Sequence, residues 1–164
     1  YGDLAGFNAL TDLDEDEWDR VMTINVKGVW QATRAVVPQM GAQKYGKVVN
    51  IASATILMGV PGVLHYVTSK GAVWAMSRSM ARELGPQGIR VNCVTPGFTM
   101  SQASRDLMDK SGAAGMEQMI ASQCALGREQ QPQDLVGAVV FLCSPGSDFI
   151  TGQTLNVDGG VVHW

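Results

Sequence analysis

With 164 residues, 46% hydrophobic and 16% charged, the chain carries enough apolar material for one globular domain with a sizeable core, and nothing argues for a second. A formal net charge of -3, with Lys and Arg scattered along the chain, excludes the basic face that neutralises phosphates, so nucleic acid is not an expected partner. No apolar run is long enough to cross a bilayer and the first residues lack the regions of a signal peptide, so no membrane partner and a cytoplasmic location are expected.

The chain starts at Tyr1 without an initiator methionine and enters a loop directly, which raises the expectation that residues precede it. From Asp14, "DEDEWDRVMTINVKGVWQATRAVVPQM" predicts one long helix with Asp14 as N-cap and Glu17 completing a capping box. Trp18, Val21, Met22, Val29, Thr33 and Val36 follow helical spacing and form the predicted buried stripe. Asn25 falls on that stripe, where an amide is either a satisfied structural group or part of a polar site.

Next, "GKVVNIAS" predicts a strand buried on both faces and ending at Ser53. A helix follows His65 and ends near Gly85-Pro86; "IRVNCVTPG" then gives a second strand over Ile89 to Thr95, stopped by Pro96-Gly97. Residues 98–131 break the rhythm with Met100, Met108, Met116, Met119, Gly112 and Gly115. They are expected to form a mobile, partly helical flap, in which Met either lines an adaptable pocket or fills an irregular insertion. "PQDLVGAVVFLC" predicts a helix with Pro132 at an N1-like position, and Thr154 to Asp158 a third short strand. The β-α-β-α-β alternation implies an α/β doubly wound parallel sheet in three layers, with ligands outside the carboxyl ends of its strands. The three cysteines, Cys93, Cys124 and Cys143, lack paired spacing and are expected as small buried residues outside any disulfide or metal site.

One pair on the helix after His65 is chemically unusual. Tyr66 and Lys70 lie one turn apart, sharing a predicted stripe with Val73, Ser77, Met80 and Leu84. A cation beside a phenol lowers the phenol pKa from its ordinary value of about 10 and makes it a usable acid and base. The ordinary alternatives are a chance spacing, with the Lys stem packed and its head in water, and a Ser53 that merely ends a strand. The predicted topology brings Ser53, Pro96-Gly97 and Tyr66 to one end of the sheet.

At these residues the sequence resembles the classical short-chain dehydrogenases/reductases. "YVTSK" is similar to their Tyr-x-x-x-Lys motif, and Ser53 stands at the family's distance before Tyr66. "NVKG" at Asn25 resembles the helix asparagine, "NCVTPG" the strand-Pro-Gly element and "ITGQTLNVDGG" the last strand. These motifs keep the family's order across nearly the whole chain. The resemblance implies a Rossmann-like fold, NAD or NADP as cofactor, and a small-molecule alcohol or carbonyl substrate. It makes Tyr66 the proton donor and acceptor, and Ser53 a hydrogen-bonding partner of the substrate oxygen. Lys70 would hold the nicotinamide ribose, and Asn25 would anchor a water of a proton relay. Pro96, Gly97, Thr99 and Ser101 would face the nicotinamide, with residues 98–131 as the substrate-side flap.

No G-x-G-x-x-G occurs in the sequence, so the expectation is a single partial domain, residues 1–164, without the family's N-terminal phosphate-binding part. Ile56, Leu57, Met58, Val60 and Leu64 point to a substrate with an apolar or ring portion. Trp30 and Val37, and Trp74 to Met76, lie off the predicted stripes, and with the family's pairing habits imply a homo-oligomer, a dimer or tetramer, that the C-terminal "VVHW" could join. The competing expectation is a truncated, non-catalytic chain that folds as an oligomeric scaffold without cofactor.

Overall fold

The computed structural model describes residues 8–111 and 116–163. Helix α1 (Glu15–Met22), a π-helical turn (Thr23–Lys27) and α2 (Gly28–Gln43) lead into strand β1 (Gly46–Ile51). The one-turn helix α3 (Thr55–Met58) and the long α4 (Leu64–Leu84) precede β2 (Ile89–Pro96). Then come α5 (Gln102–Ser111), α6 (Met116–Gln123), α7 (Gln133–Cys143) and β3 (Thr154–Val157).

The strands form one parallel sheet in the order β1-β2-β3, pairing Gly46 with Ile89, Ile51 with Val94, Cys93 with Thr154 and Pro96 with Val157. Parallel neighbours need a crossover, and α4 and α7 supply one each. Side chains alternate across β2. Ile89 and Val91 pack with Ala81 and Leu84 of α4 and with Val37 and Met40 of α2. On the opposite face the Asn92 amide donates to the Ile150 carbonyl at 2.8 Å, and Lys47 reaches Ser144, Ser147 and Asp148 just beyond α7. The three-layer α/β/α arrangement expected from the alternation is thus present. The turn into β2 depends on Gly88 at φ 75°, where a Cβ would run into the Lys44 carbonyl.

Several local expectations shift, each for a physical reason. Asp14 does cap α1, accepting from the Asp16 N–H at 2.6 Å, but the single long helix is interrupted by the π turn. Beyond it Val29 and Thr33 keep their expected inward side, and the line continues at i+4 to Val37, which packs against the core while Val36 is exposed. On α4 the buried line runs His65, Ser69, Val73, Ser77, Ala81, Leu84. Tyr66, Lys70 and Met80 sit one residue aside from it, half-buried. β1 is not buried on both faces: Ile51 is exposed, because no strand covers its outer edge among the described residues. Of the cysteines only Cys93 is buried; Cys124 is half-buried and Cys143 exposed.

Residues 98–131 include two helices, and Met100 and Met108 are buried. Gly112, Gly115, the Met116 side chain and Trp164 lie outside the described residues. The tail folds back on β3, where the Val162 N–H donates to Asp158 at 2.8 Å. No described helix is long and apolar enough to cross a membrane.

Candidate active site

A cavity of about 500 Å³ opens at the carboxyl ends of β1 and β2. Ser53 enters it two residues past β1, Tyr66 and Lys70 from the first turns of α4, and Pro96 and Gly97 from the end of β2. Thr99 and Ser101 line it from the segment before α5. The structure therefore brings together every site residue named from the sequence except Asn25, which is outside the lining. Of the apolar residues singled out from the sequence between Ser53 and Tyr66, Met58 and Val60 line the cavity, joined by Val63 and by Met119 and Ile120 of α6; Ile56, Leu57 and Leu64 do not.

Each polar side chain is held by backbone or by a neighbour. The Lys70 ammonium donates to the Ile51 carbonyl, the last of β1, at 3.0 Å, and lies 5.7 Å from the Tyr66 ring centre. Ser53 Oγ accepts from the Thr55 N–H at 3.3 Å and from the Thr55 hydroxyl at 3.0 Å. Asn25, inside the π turn, donates to Ser69 Oγ at 3.0 Å, and Ser69 donates to the Tyr66 carbonyl at 2.7 Å. The amide thus braces the backbone between the Tyr and the Lys; π turns recur at functional sites.

The expected acidification of the phenol by its cation is not what the structure shows. Burial pushes the Tyr66 phenol well above its ordinary range. Burial also lowers the Lys70 pKa, an effect partly opposed by Cys93. Both charged forms lose hydration when the pair turns from water, and at this separation the ammonium does not offset that loss.

The segment after β2 is tied to the far strand by the Gly97 N–H, which donates to the Val157 carbonyl at 3.0 Å, and by Gln130. Buried Gln130 accepts from the Thr99 hydroxyl at 3.0 Å and donates to the Val157 carbonyl at 2.6 Å. Gly97 fits because β3 approaches closely: a Cβ there would stand 2.9 Å from Asp158 Cβ. Ser101 and Ser104 hydroxyls share a hydrogen bond of 2.9 Å, and Ser104 donates to the Thr99 carbonyl at 2.7 Å. Ser101 is thus placed at the cavity with its hydroxyl already partnered.

Over residues 4–162 the chain matches the family model described as enoyl-(acyl carrier protein) reductase. The chain belongs to the short-chain dehydrogenase/reductase family. It is 37% identical over 153 residues to the 3-oxoacyl-(acyl-carrier-protein) reductase FabG of Thermotoga maritima, covering 93% of this chain and 60% of that protein. It is 39% identical over 155 residues to dehydrogenase/reductase SDR family member 4 of Pongo abelii, covering 94% and 54%. Among solved structures it is similar to a gluconate 5-dehydrogenase from Burkholderia cenocepacia in complex with NADP and tartrate. That likeness has a TM-score of 0.89 at 33% identity, over 96% of this chain and 60% of the other. The chain spans about 60% of the length of the relatives it matches.

Within this short-chain dehydrogenase/reductase chain, sequence reading passes over Thr55, Ser69 and Gln130. Thr55 could have been found as a hydroxyl two residues from Ser53, within reach of a local side-chain bond. Ser69 and Gln130 carry no such signal, because their partners lie 44 and 27 residues away.

Proposed function

We propose that this protein is an NAD- or NADP-dependent oxidoreductase that interconverts a small secondary alcohol and its ketone, with Tyr66 giving and taking the proton. The observation that carries the reading is the convergence of the Ser53 hydroxyl, the Tyr66 phenol and the Lys70 amine on one cavity at the strand ends. Relatives named as a 3-oxoacyl reductase and a gluconate 5-dehydrogenase, the latter in complex with NADP, support the same reaction class.

The donor set fits one end of a nicotinamide dinucleotide. Lys70 and Tyr66 offer donors suited to ribose hydroxyls, and Pro96, Gly97, Thr99 and Ser101 form the wall against which a flat ring would lie. The pyrophosphate end needs a Gly-rich turn at a helix N-terminus, which these 164 residues do not contain. When bound, the nicotinamide supplies the hydride in reduction and takes it up in oxidation.

The remaining work falls to the chain. In reduction the Ser53 hydroxyl donates a hydrogen bond to the substrate carbonyl oxygen. Tyr66 transfers its proton to that oxygen as the carbon receives hydride, leaving an alcohol and a phenolate; oxidation runs in reverse. Burial keeps Tyr66 protonated at neutral pH, ready to donate, and the Lys70 charge beside its ring stabilises the phenolate that remains. Asn25 fixes the backbone between them through Ser69 and anchors a water that relays protons from Lys70 toward solvent.

The wall formed by Met58, Val60, Met119 and Ile120 favours a neutral substrate with an apolar or ring portion. Arg128, a cation in the cavity lining, is bound bidentately by Asp134 at 2.7 Å, which occupies the guanidinium fork that would otherwise face a substrate carboxylate. The exposed Trp30 and Val36 of α2 favour a homo-oligomer. The edge of β1 that no strand covers among the described residues favours a second reading, a scaffold that binds no cofactor. Fluorescence titration with NADPH and NADH separates the two. Saturable binding that weakens about 10-fold or more in Lys70→Met, the loss of one charged hydrogen-bond donor, supports the oxidoreductase; no binding of either dinucleotide refutes it for this chain.

A further inference from the structure

Ser53 is buried, and its hydroxyl has an unusual set of neighbours. A serine hydroxyl can accept two hydrogen bonds and donate one. Both acceptor positions are filled by a single residue, Thr55, through its backbone N–H at 3.3 Å and its own hydroxyl at 3.0 Å. What Ser53 has left to offer is its proton, and no acceptor for that proton occurs among the described residues. The cavity lies beside it.

Thr55 is itself firmly placed. It opens α3, whose turn is closed by the Ile56 N–H to the Ser53 carbonyl at 3.3 Å and the Leu57 N–H to the Ala54 carbonyl at 2.9 Å. The Ala54 N–H donates to the Pro96 carbonyl at 2.8 Å, fastening the turn to the end of β2. A β-branched side chain on a fixed turn has few rotamers, so the Thr55 hydroxyl is held where Ser53 needs it.

We propose that Thr55 is a positioning residue that commits Ser53 to donating, and so makes the site a receptor for an acceptor-only oxygen, a ketone or the oxyanion developing from it. This rests on the oxidoreductase reading given above. Hydrogen-bond chemistry gives the device two effects. Accepting two bonds polarises the Ser53 O–H and makes it a better donor to an oxygen gaining negative charge. With its lone pairs occupied, Ser53 also cannot compete for the Tyr66 proton, which leaves the substrate oxygen as the receiver. A serine free to rotate would accept from the phenol part of the time, and each such arrangement would be unproductive.

The test compares Thr55→Val, nearly isosteric and lacking the hydroxyl, with Thr55→Ser, which keeps it, and with Ser53→Ala and Tyr66→Phe. Acetophenone serves as the probe ketone in the full protein. Thr55→Val should lower kcat about tenfold, the cost of roughly one hydrogen bond, with KM and dinucleotide affinity unchanged; Thr55→Ser should restore it. Infrared difference spectra of carbonyl-13C acetophenone should show its stretch at higher frequency in Thr55→Val than in the native protein, displaced toward the Ser53→Ala value. Native kcat and native stretch in Thr55→Val, with Ser53→Ala and Tyr66→Phe both impaired, would overturn the proposal alone. Equal losses in Thr55→Val and Thr55→Ser would mark a packing role and also overturn it. Undiminished turnover in both Ser53→Ala and Tyr66→Phe would overturn the functional reading beneath it, and the proposal with it.

Discussion

The sheet side of the cavity and the side built from residues 98–131 are held in different ways. On the sheet side Val73, Ile89 and Val91 are fully buried, the Asn50 amide donates to Ser77 at 2.8 Å, and Ser53 and Lys70 are hydrogen-bonded to Thr55 and Ile51. On the other side Met119 is 53% and Leu126 67% exposed. That side meets the body through a few bonds, such as the Gln130 amide to the Val157 carbonyl and the Leu126 N–H to the Gly159 carbonyl. Proton transfer and carbonyl orientation require positions fixed to a fraction of an ångström, and the groups suited to them stand on the dense side. Shape selection tolerates looser walls, and the loose side brings Phe98, Met119 and Ile120 to the cavity beside its polar residues.

Substitutions should expose that contrast. Ile89→Ala removes a fully buried side chain from the core shared by α2, α4 and β2, and should cost about 2–5 kcal/mol in urea unfolding; a loss below about 1 kcal/mol would mean the dense side is not what holds the domain. A smaller effect is expected from pH. Burial raises the folded Tyr66 pKa above its unfolded value near about 10. The stability linked to that proton is therefore complete below about pH 10 and lost as pH rises through the folded value. Unfolding free energy measured from pH 8 to 11 should fall more steeply in the native protein than in Tyr66→Phe; parallel curves would show that the phenol is not desolvated. Least of all, Met119→Ala should leave stability within about 0.5 kcal/mol and change KM for an apolar ketone a few-fold without altering kcat. A fall in kcat matching that of Ser53→Ala would erase the distinction between the two sides.

Much of this arrangement is legible in the sequence, and the failures have definite causes. Strand and helix alternation survives because turn residues such as Pro96-Gly97 and Gly85-Pro86 punctuate it locally. The gathering of Ser53, Tyr66, Lys70, Pro96 and Gly97 at one cavity follows from short spacings and parallel topology. Helix faces are harder to assign. With Trp74, Ala75 and Met76 apolar off the stripe, α4 offers periodicity no single face, and the expected stripe shares Val73, Ser77 and Leu84 with the true line but misses it by one residue at His65, Ser69 and Ala81. The π turn at Thr23–Lys27 has no composition that announces it, and after Thr33 helical spacing allows either Val36 or Val37 as the next core position, of which Val37 is the one packed. Desolvation is invisible as well. A Tyr four residues before a Lys reads as an acidified phenol, whereas the depth of the pair decides the direction.

The central claim is that the proton exchanged with substrate belongs to Tyr66. The most direct test is hydride transfer to acetophenone in single turnover by the native protein and by Tyr66→Phe, with NADPH or NADH saturating. The phenylalanine variant should bind the dinucleotide within about 2-fold of native, since it keeps Lys70 and the ring, yet reduce the ketone about 10²–10⁴-fold more slowly, the usual worth of a positioned acid. Reduction at the native rate with dinucleotide bound would contradict it.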